Sequence, residues 1–130
     1  MNEMSIYESG SFKREFPQEI VRKAESDKIR SKFPSRIPII LEQARATDFP
    51  LNDNMRRKFL VPGELTVGQF LYTVRKRLQL PSSVSVFLAT QRDDKTIMHP
   101  TARLLAQVDA ETRDPDGFLY MTYTGENTFG

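Results

Sequence analysis

The strongest constraint in this chain is one amphipathic helix set among short β-branched runs. Val67, Phe70, Leu71, Val74 and Leu78 recur at the i, i+3, i+4, i+7, i+11 spacing of a single helical stripe. Thr66 is suited to cap the first turn, and Gln69 three residues later completes a capping box. Leu65 and Phe70 occupy the staple positions on either side of the cap, and Leu80-Pro81 ends the helix. Ahead of it, Arg36–Leu41 and Lys58–Val61 are short, apolar and rich in β-branched residues, and Pro62-Gly63 stops the second. Behind it, Val84–Ala89 and Phe118–Tyr123 read as two further strands, the last introduced by the turn Asp114-Pro115-Asp116-Gly117. A helix with one apolar stripe among four strands has to lie across a sheet.

Pro38 inside the first strand predicts a position that needs no ladder donor. Residues 43–56 and Thr90–Pro100 are polar and read as loops, and Thr101 is expected to cap a short helix through Leu104, Leu105 and Val108. Residues 1–10 lack periodicity and read as a tail. Ser11 to Lys32 is rich in helix formers and broken once at Phe16-Pro17, which predicts a short helix followed by a longer one. On the longer helix Phe16, Ile20 and Ala24 share the face expected to meet the core. Ile29 and Phe33 lie well round the cylinder, so the helix either packs on two neighbours or spends Ile29 on something else.

The chain has 130 residues, the size of one domain. It has no cysteine, which excludes a disulfide framework, thiolate metal ligands and a Cys nucleophile. The first residues carry no basic flank and apolar run, so no signal peptide is expected, and no apolar stretch reaches the ~18–20 residues of a membrane span. A cytoplasmic single domain is the expectation. Residues 1–78 hold 15 Lys and Arg against 10 Asp and Glu, whereas residues 79–130 hold 4 against 7. That asymmetry suits acidic peptides or an anionic membrane surface and is too weak for nucleic acid. His99 is the only histidine, so a catalytic or metal cluster built on histidine is ruled out. A small hydrolase would need His99 beside a carboxylate. Asp93-Asp94 and Asp114/Asp116 sit in turn settings, which favours turn formers over a metal site.

Two helices, then strand, strand, helix, strand, short helix and strand is the ubiquitin-like β-grasp order, α+β with a four-stranded mixed sheet and two added N-terminal helices. The expected division is a tail (1–10), a helical extension (11–33), the β-grasp domain (34–124) and a C-terminal tail (125–130).

Specific strings support a closer comparison. Lys28-Ile29-Arg30, Phe33-Pro34, Arg36-Ile37-Pro38-Ile39-Ile40, Lys58-Phe59-Leu60-Val61-Pro62, Leu65-Thr66-Val67-Gly68-Gln69-Phe70, Arg75-Lys76-Arg77-Leu78, Asp116-Gly117-Phe118-Leu119-Tyr120-Met121 and Thr128-Phe129-Gly130 appear in this order. Together they resemble the autophagy ubiquitin-like modifiers, the GABARAP and microtubule-associated light chain three family, over residues 12–130. The resemblance implies a non-enzymatic modifier without cofactor or metal, lipidated at Gly130. Activating-like and conjugating-like enzymes would pass it to the amine of phosphatidylethanolamine, and an autophagy cysteine protease would trim precursors. It further implies cytoplasmic and autophagosomal-membrane locations, with delivery to the lysosome or vacuole. Its expected partners are cargo receptors bearing aromatic-x-x-aliphatic motifs, with no nucleic acid, and the protein itself is expected to be monomeric. The alternative is a β-grasp module that is never conjugated and binds peptides, tubulin or a small GTPase.

Carried over position by position, the aromatic pocket comprises Glu25, Ile29, Pro38, Ile40, Lys58, Leu60 and Phe118. The aliphatic pocket comprises Phe59, Val61, Pro62, Phe70 and Val74. Alternation along residues 58–61 puts Lys58 and Leu60 on one face and Phe59 and Val61 on the other, in agreement with that division. Arg36, Arg56 and Arg77, joined by Arg57, form the expected basic rim for acidic flanks of the peptide. Thr73 stands where the family commonly has an aliphatic residue, which implies a shallower or more polar second pocket. The sequence stops at Gly130, which fits either a processed form or a member made ready for conjugation.

Overall fold

The computed structural model describes residues 11–43, 58–83 and 85–125. The 1–10 tail, Val84, most of the 43–56 loop with Arg56, neighbouring Arg57, and the C-terminal residues from 126 to Gly130 lie outside the described residues. The elements are α1 (Ser11–Glu15), α2 (Glu19–Lys32), β1 (Arg36–Gln43), β2 (Lys58–Pro62), α3 (Val67–Leu78), β3 (Val86–Arg92), β4 (Lys95–Met98), α4 (Leu105–Thr112) and β5 (Leu119–Gly125). The strand order is β2-β1-β5-β3-β4. β1 and β5 run parallel, with Ile39 opposite Leu119, and every other pair is antiparallel.

The sheet separates two apolar clusters because β1 alternates. Ile37, Ile39 and Leu41 face α3 and α4 and join Phe59, Val61, Val67, Phe70, Val74, Leu105 and Met121 in the main core. Ile40 faces the other way and packs with Phe12 and Phe118. This two-sided burial explains why β1 is apolar at consecutive positions. The expected capping box forms on α3: Thr66 Oγ1 accepts from the Gln69 N–H at 3.1 Å, and Gln69 Oε1 accepts from the Thr66 N–H at 2.8 Å. At the far end Gln79 takes the left-handed conformation (φ 56°) and closes the helix onto the Arg75 and Lys76 carbonyls.

Three expectations are corrected. Among the described residues the sheet has five strands, not four, because the 90–100 segment folds into a hairpin. β3 runs on to Arg92, Asp93 and Asp94 turn at φ 51° and 69°, and β4 pairs back from Lys95. Its polar residues hid it, since β4 has no fully buried position among its four residues. Thr101 does not cap α4, which starts at Leu105. The 101–103 segment instead supplies carbonyls to the first turn of α3, from Arg103 to the Val67 N–H (2.8 Å) and from Thr101 to the Gly68 N–H (2.9 Å). Two donors that a helix start leaves unpaired are thereby satisfied. A side chain at 68 would press closely against Thr101, so this approach favours the lone glycine inside the helix.

The third correction concerns α2. Ile20 is 78% exposed, Ala24 is exposed, and Phe16 is 38% exposed, so the expected core face looks outward. The inward stripe is Arg22, Ser26, Ile29 and Arg30. Arg22 Nε donates to Asp116 Oδ2 (2.7 Å), the Ser26 hydroxyl donates to the Asp116 carbonyl, and Arg30 Nε donates to the Gly117 carbonyl (2.9 Å). The helix docks chiefly by filling acceptors of the turn before β5, with Ile29 adding an apolar contact to the Phe12, Ile40 and Phe118 cluster.

Gly117 makes this docking possible. Its φ of +93° is a conformation L side chains rarely adopt, and a Cβ there would overlap the Ser26 hydroxyl. Gly117→Ala is therefore expected to cost roughly 2–4 kcal/mol, from left-handed strain and the disturbed Ser26 bond. Chemical denaturation measures this, and adding Ser26→Ala should recover part of the loss because the two sites touch.

Candidate functional site

β2 is an edge strand among the described residues, since its only partner is β1. The Gly63 N–H donates to the Ser35 carbonyl at 3.1 Å, which fixes the alternation of the ladder. The pairs Ile37–Val61 and Ile39–Phe59 then exchange bonds, while the backbone groups of Lys58 and Leu60 point away from β1. Pro38 faces Leu60 across a pair that needs no donor, and the ladder to β5 begins one residue later at Ile39. The expectation for Pro38 is met in this way. One side of β2 thus presents a row of available N–H and C=O groups. The Arg36 guanidinium sits 3.4 Å from the Leu60 carbonyl, a weak contact at that open side.

Beside the edge lies a cavity of about 150 Å³, lined by Ile29, Phe33, Pro38, Ile39, Lys58, Phe59, Leu60 and Phe118. That is about five water volumes, enough for one ring-sized group. The structure brings Ile29, Pro38, Lys58, Leu60 and Phe118 together here, five of the seven residues assigned to the aromatic pocket. Glu25 stands at the rim, where its carboxylate accepts from Lys58 Nζ at 2.6 Å. Ile40 is fully buried beneath, against Phe12 and Phe118. Lys58 Nζ also lies 5.1 Å from the centre of the Phe12 ring and 5.9 Å from that of Phe16, so its ammonium spans from β2 to α1. Phe33 also lines the cavity; the sequence sets it beside Ile29, away from the expected core face, without assigning it to the pocket.

The residues assigned to the aliphatic pocket are distributed differently. Phe59, Val61, Phe70 and Val74 are buried in the main core, with the Phe59 and Phe70 rings edge to face at 5.2 Å. Pro62 is half-buried at the end of β2. The Arg77 guanidinium covers the Phe59 ring at 4.8 Å. Of the expected basic rim, Arg36 and Arg77 therefore flank β2 at its open side and its core face, and Arg56 is outside the described residues.

Asp116 was read only as a turn former, yet its carboxylate has three donors. Arg22 Nε (2.7 Å) and the Tyr120 hydroxyl (2.6 Å) share Oδ2, and the Phe118 N–H (2.9 Å) takes Oδ1. Burial alone would raise its pKa. The bonds from Tyr120, Arg22 and Phe118 outweigh that and hold it below the usual aspartate range. Phe12 completes this side of the sheet, its ring 5.3 Å from that of Phe118 and 6.2 Å from that of Tyr120.

His99 is buried, with Nε2 2.8 Å from the Thr90 hydroxyl and Nδ1 3.4 Å from Arg103. No carboxylate hydrogen-bonds it among the described residues, and no group of three or more metal-ligating side chains occurs among them. No helix among them is long and apolar enough to cross a membrane.

Open edge, adjoining ring-sized cavity and paired N-terminal helices on a five-stranded mixed sheet define a ubiquitin-like β-grasp protein with a helical extension. Residues 21–130 match the family described as "Autophagy protein Atg8 ubiquitin like", and the chain belongs to that family. It is 52% identical to Autophagy-related protein 8 of Candida glabrata over 92% of this chain and 96% of that protein. With Autophagy-related protein 8d of Arabidopsis thaliana it shares 50% identity over 92% of this chain and 94% of the relative. The crystal structure of Trypanosoma brucei ATG8 superposes with a TM-score of 0.75 at 41% identity, covering 87% of this chain and 92% of that one. Plasmodium falciparum Atg8 in complex with a Plasmodium falciparum Atg3 peptide gives 0.75 at 29% identity, covering 90% and 99%.

Burial first, then the charge of Arg103, pushes His99 below its ordinary value of 6.5. The unfolded chain therefore takes up a proton near that pH while the folded chain resists. Stability contributed by neutral His99 is complete above 6.5 and is lost as pH falls toward the folded value. The melting temperature should decline from pH 7.5 to 5.5, and His99→Gln should flatten that decline by removing the titrating group.

Proposed function

We propose that this autophagy ubiquitin-like protein is a modifier joined through Gly130 to phosphatidylethanolamine. On the membrane it captures aromatic-x-x-aliphatic segments along β2, and it has no catalytic role of its own. The observation that carries the peptide reading is the outward-facing backbone of Lys58 and Leu60 directly beside the Ile29–Phe118 cavity. An extended segment can pair with the first while an aromatic side chain enters the second, the usual logic of strand addition. The aliphatic position falls toward Pro62, where Arg77 would have to leave the Phe59 ring for Phe59, Val61 and the α3 residues to be reached.

Arg36, Lys58 and Arg77 suit acidic residues flanking the aromatic; exposed pairs of this kind are worth ~0–1 kcal/mol each and act chiefly on encounter and partner choice. Gly130 is assigned from the family match, which runs to residue 130, and from the absence of a Cβ to crowd its carboxyl group. Two acyl chains meet the requirement for stable anchoring. Activating-like and conjugating-like enzymes, a processing cysteine protease and cargo receptors are the partners this implies. The cytoplasm, the autophagosomal membrane and the lysosome or vacuole are the places.

Leu60→Ala should weaken an acid-flanked Trp-x-x-Leu peptide by ~1–3 kcal/mol in calorimetry, because Leu60 forms one wall of the cavity; unchanged affinity would contradict the groove. Gly130→Ala should abolish the lipid-shifted band in a reaction reconstituted with ATP, the conjugation enzymes and phosphatidylethanolamine vesicles. If wild-type protein also forms neither thioester nor lipid adduct, the chain is an interaction module that is not conjugated.

A further inference from the structure

We infer that Asp116, acting through Arg22, is a positioning residue that sets the width of the aromatic pocket. The inference deepens the peptide reading above and rests on it. Opposite walls of the cavity belong to different parts of the fold: Ile29 and Phe33 come with α2, and Phe118 comes with the turn entering β5. The Asp116 carboxylate holds both. Through Oδ2 it anchors Arg22 of α2, and through Oδ1 it fixes the backbone of Phe118. The Tyr120 hydroxyl, also on Oδ2, ties the same group to β5.

The apolar contact of α2 on this side is Ile29, packed against the Phe12, Ile40 and Phe118 cluster, and the other inward ties of the helix are polar. The outward face of α2 carries Ile20 and Ala24, and its inward stripe repeats a hydrogen-bond donor every four residues at Arg22, Ser26 and Arg30. Arg22 also reaches back, its second nitrogen donating to the Phe16 carbonyl at 2.7 Å, which joins the α1–α2 connection to the same carboxylate. Arg30 adds a two-pronged bond to Asp109 at 3.0 and 2.8 Å, fixing the C-terminal half of α2 against α4. Directional bonds of this kind specify one helix position, whereas a greasy interface would let it slide. Asp116 touches no peptide in this arrangement, and its effect passes through the placement of Ile29, Phe33 and Phe118.

The test compares two peptides with the same acidic flanks, one Trp-x-x-Leu and one Ala-x-x-Leu, by NMR titration against full-length protein. The double variant Arg22→Met/Asp116→Asn removes both buried charges together and so leaves neither unpaired. Wild-type protein should prefer the Trp peptide roughly 30-fold or more, as expected for an aromatic anchor. The double variant should lose roughly ten-fold of that preference, the scale of one coupled pair, while binding the Ala peptide within about two-fold of wild type. Arg22→Lys keeps the ion pair and gives up the second bond to Phe16, so it should give an intermediate ratio; it carries the test if the double variant does not fold. An unchanged Trp/Ala ratio, or equal weakening of both peptides, overturns the role of Asp116 alone. A wild-type protein with no Trp preference overturns the pocket reading as well.

Discussion

The buried carboxylate of Asp116 organises one side of this molecule. It receives a helix donor, a tyrosine hydroxyl and a backbone amide within 3 Å, and no water-exposed group could do the same work as selectively. Gly117 follows at φ +93°, which turns two carbonyls toward α2 for Ser26 and Arg30. Two residues of a tight turn, with Asp109 of α4, therefore hold a fourteen-residue helix in place. The opposite face of the sheet is built differently, from apolar side chains of α3 and α4 meeting β1, β2 and β5. The protein is thus one sheet with an oily side and a polar-latched side, and the candidate pocket opens on the latched side.

That division bears on function. A cavity entirely inside an apolar core would close around its own side chains, because interiors pack to crystal density. Here the cavity lies at the margin where α2 meets β1 and β2, bordered by Ile29 on one side and Leu60 and Phe118 on the other. The unpaired side of β2 lies at the same margin, so the means of pairing a backbone and the means of accepting a ring are adjacent. Membership of the Atg8 family agrees with this arrangement, and the Plasmodium falciparum relative has been solved with an Atg3 peptide.

Much of this was legible beforehand, though unevenly. The capped stripe of α3, the strands β1, β2 and β5, and the split of Lys58 and Leu60 from Phe59 and Val61 follow from periodicity and alternation, which are local properties. The β3–β4 hairpin was not, since an edge strand of Lys95, Thr96, Ile97 and Met98 carries neither alternation nor an Asn-Gly turn. The orientation of α2 was misread because an apolar-face argument assumes that apolar contacts dock the helix. Its docking partners are a carboxylate and two carbonyls 87 to 94 positions away in the chain.

The order of residues alone determined the β-grasp succession, the capping box of α3, the place of Pro38 and the strings that mark the family. Each depends on neighbours within a few positions, or on a pattern copied whole from relatives. Only the folded chain decided which face of α2 turns inward, that Phe33 joins the pocket and Ile40 sinks beneath it, and that Asp116 links the pocket walls. Those outcomes depend on the closeness in space of residues far apart in sequence, and no local pattern in a single chain encodes that closeness.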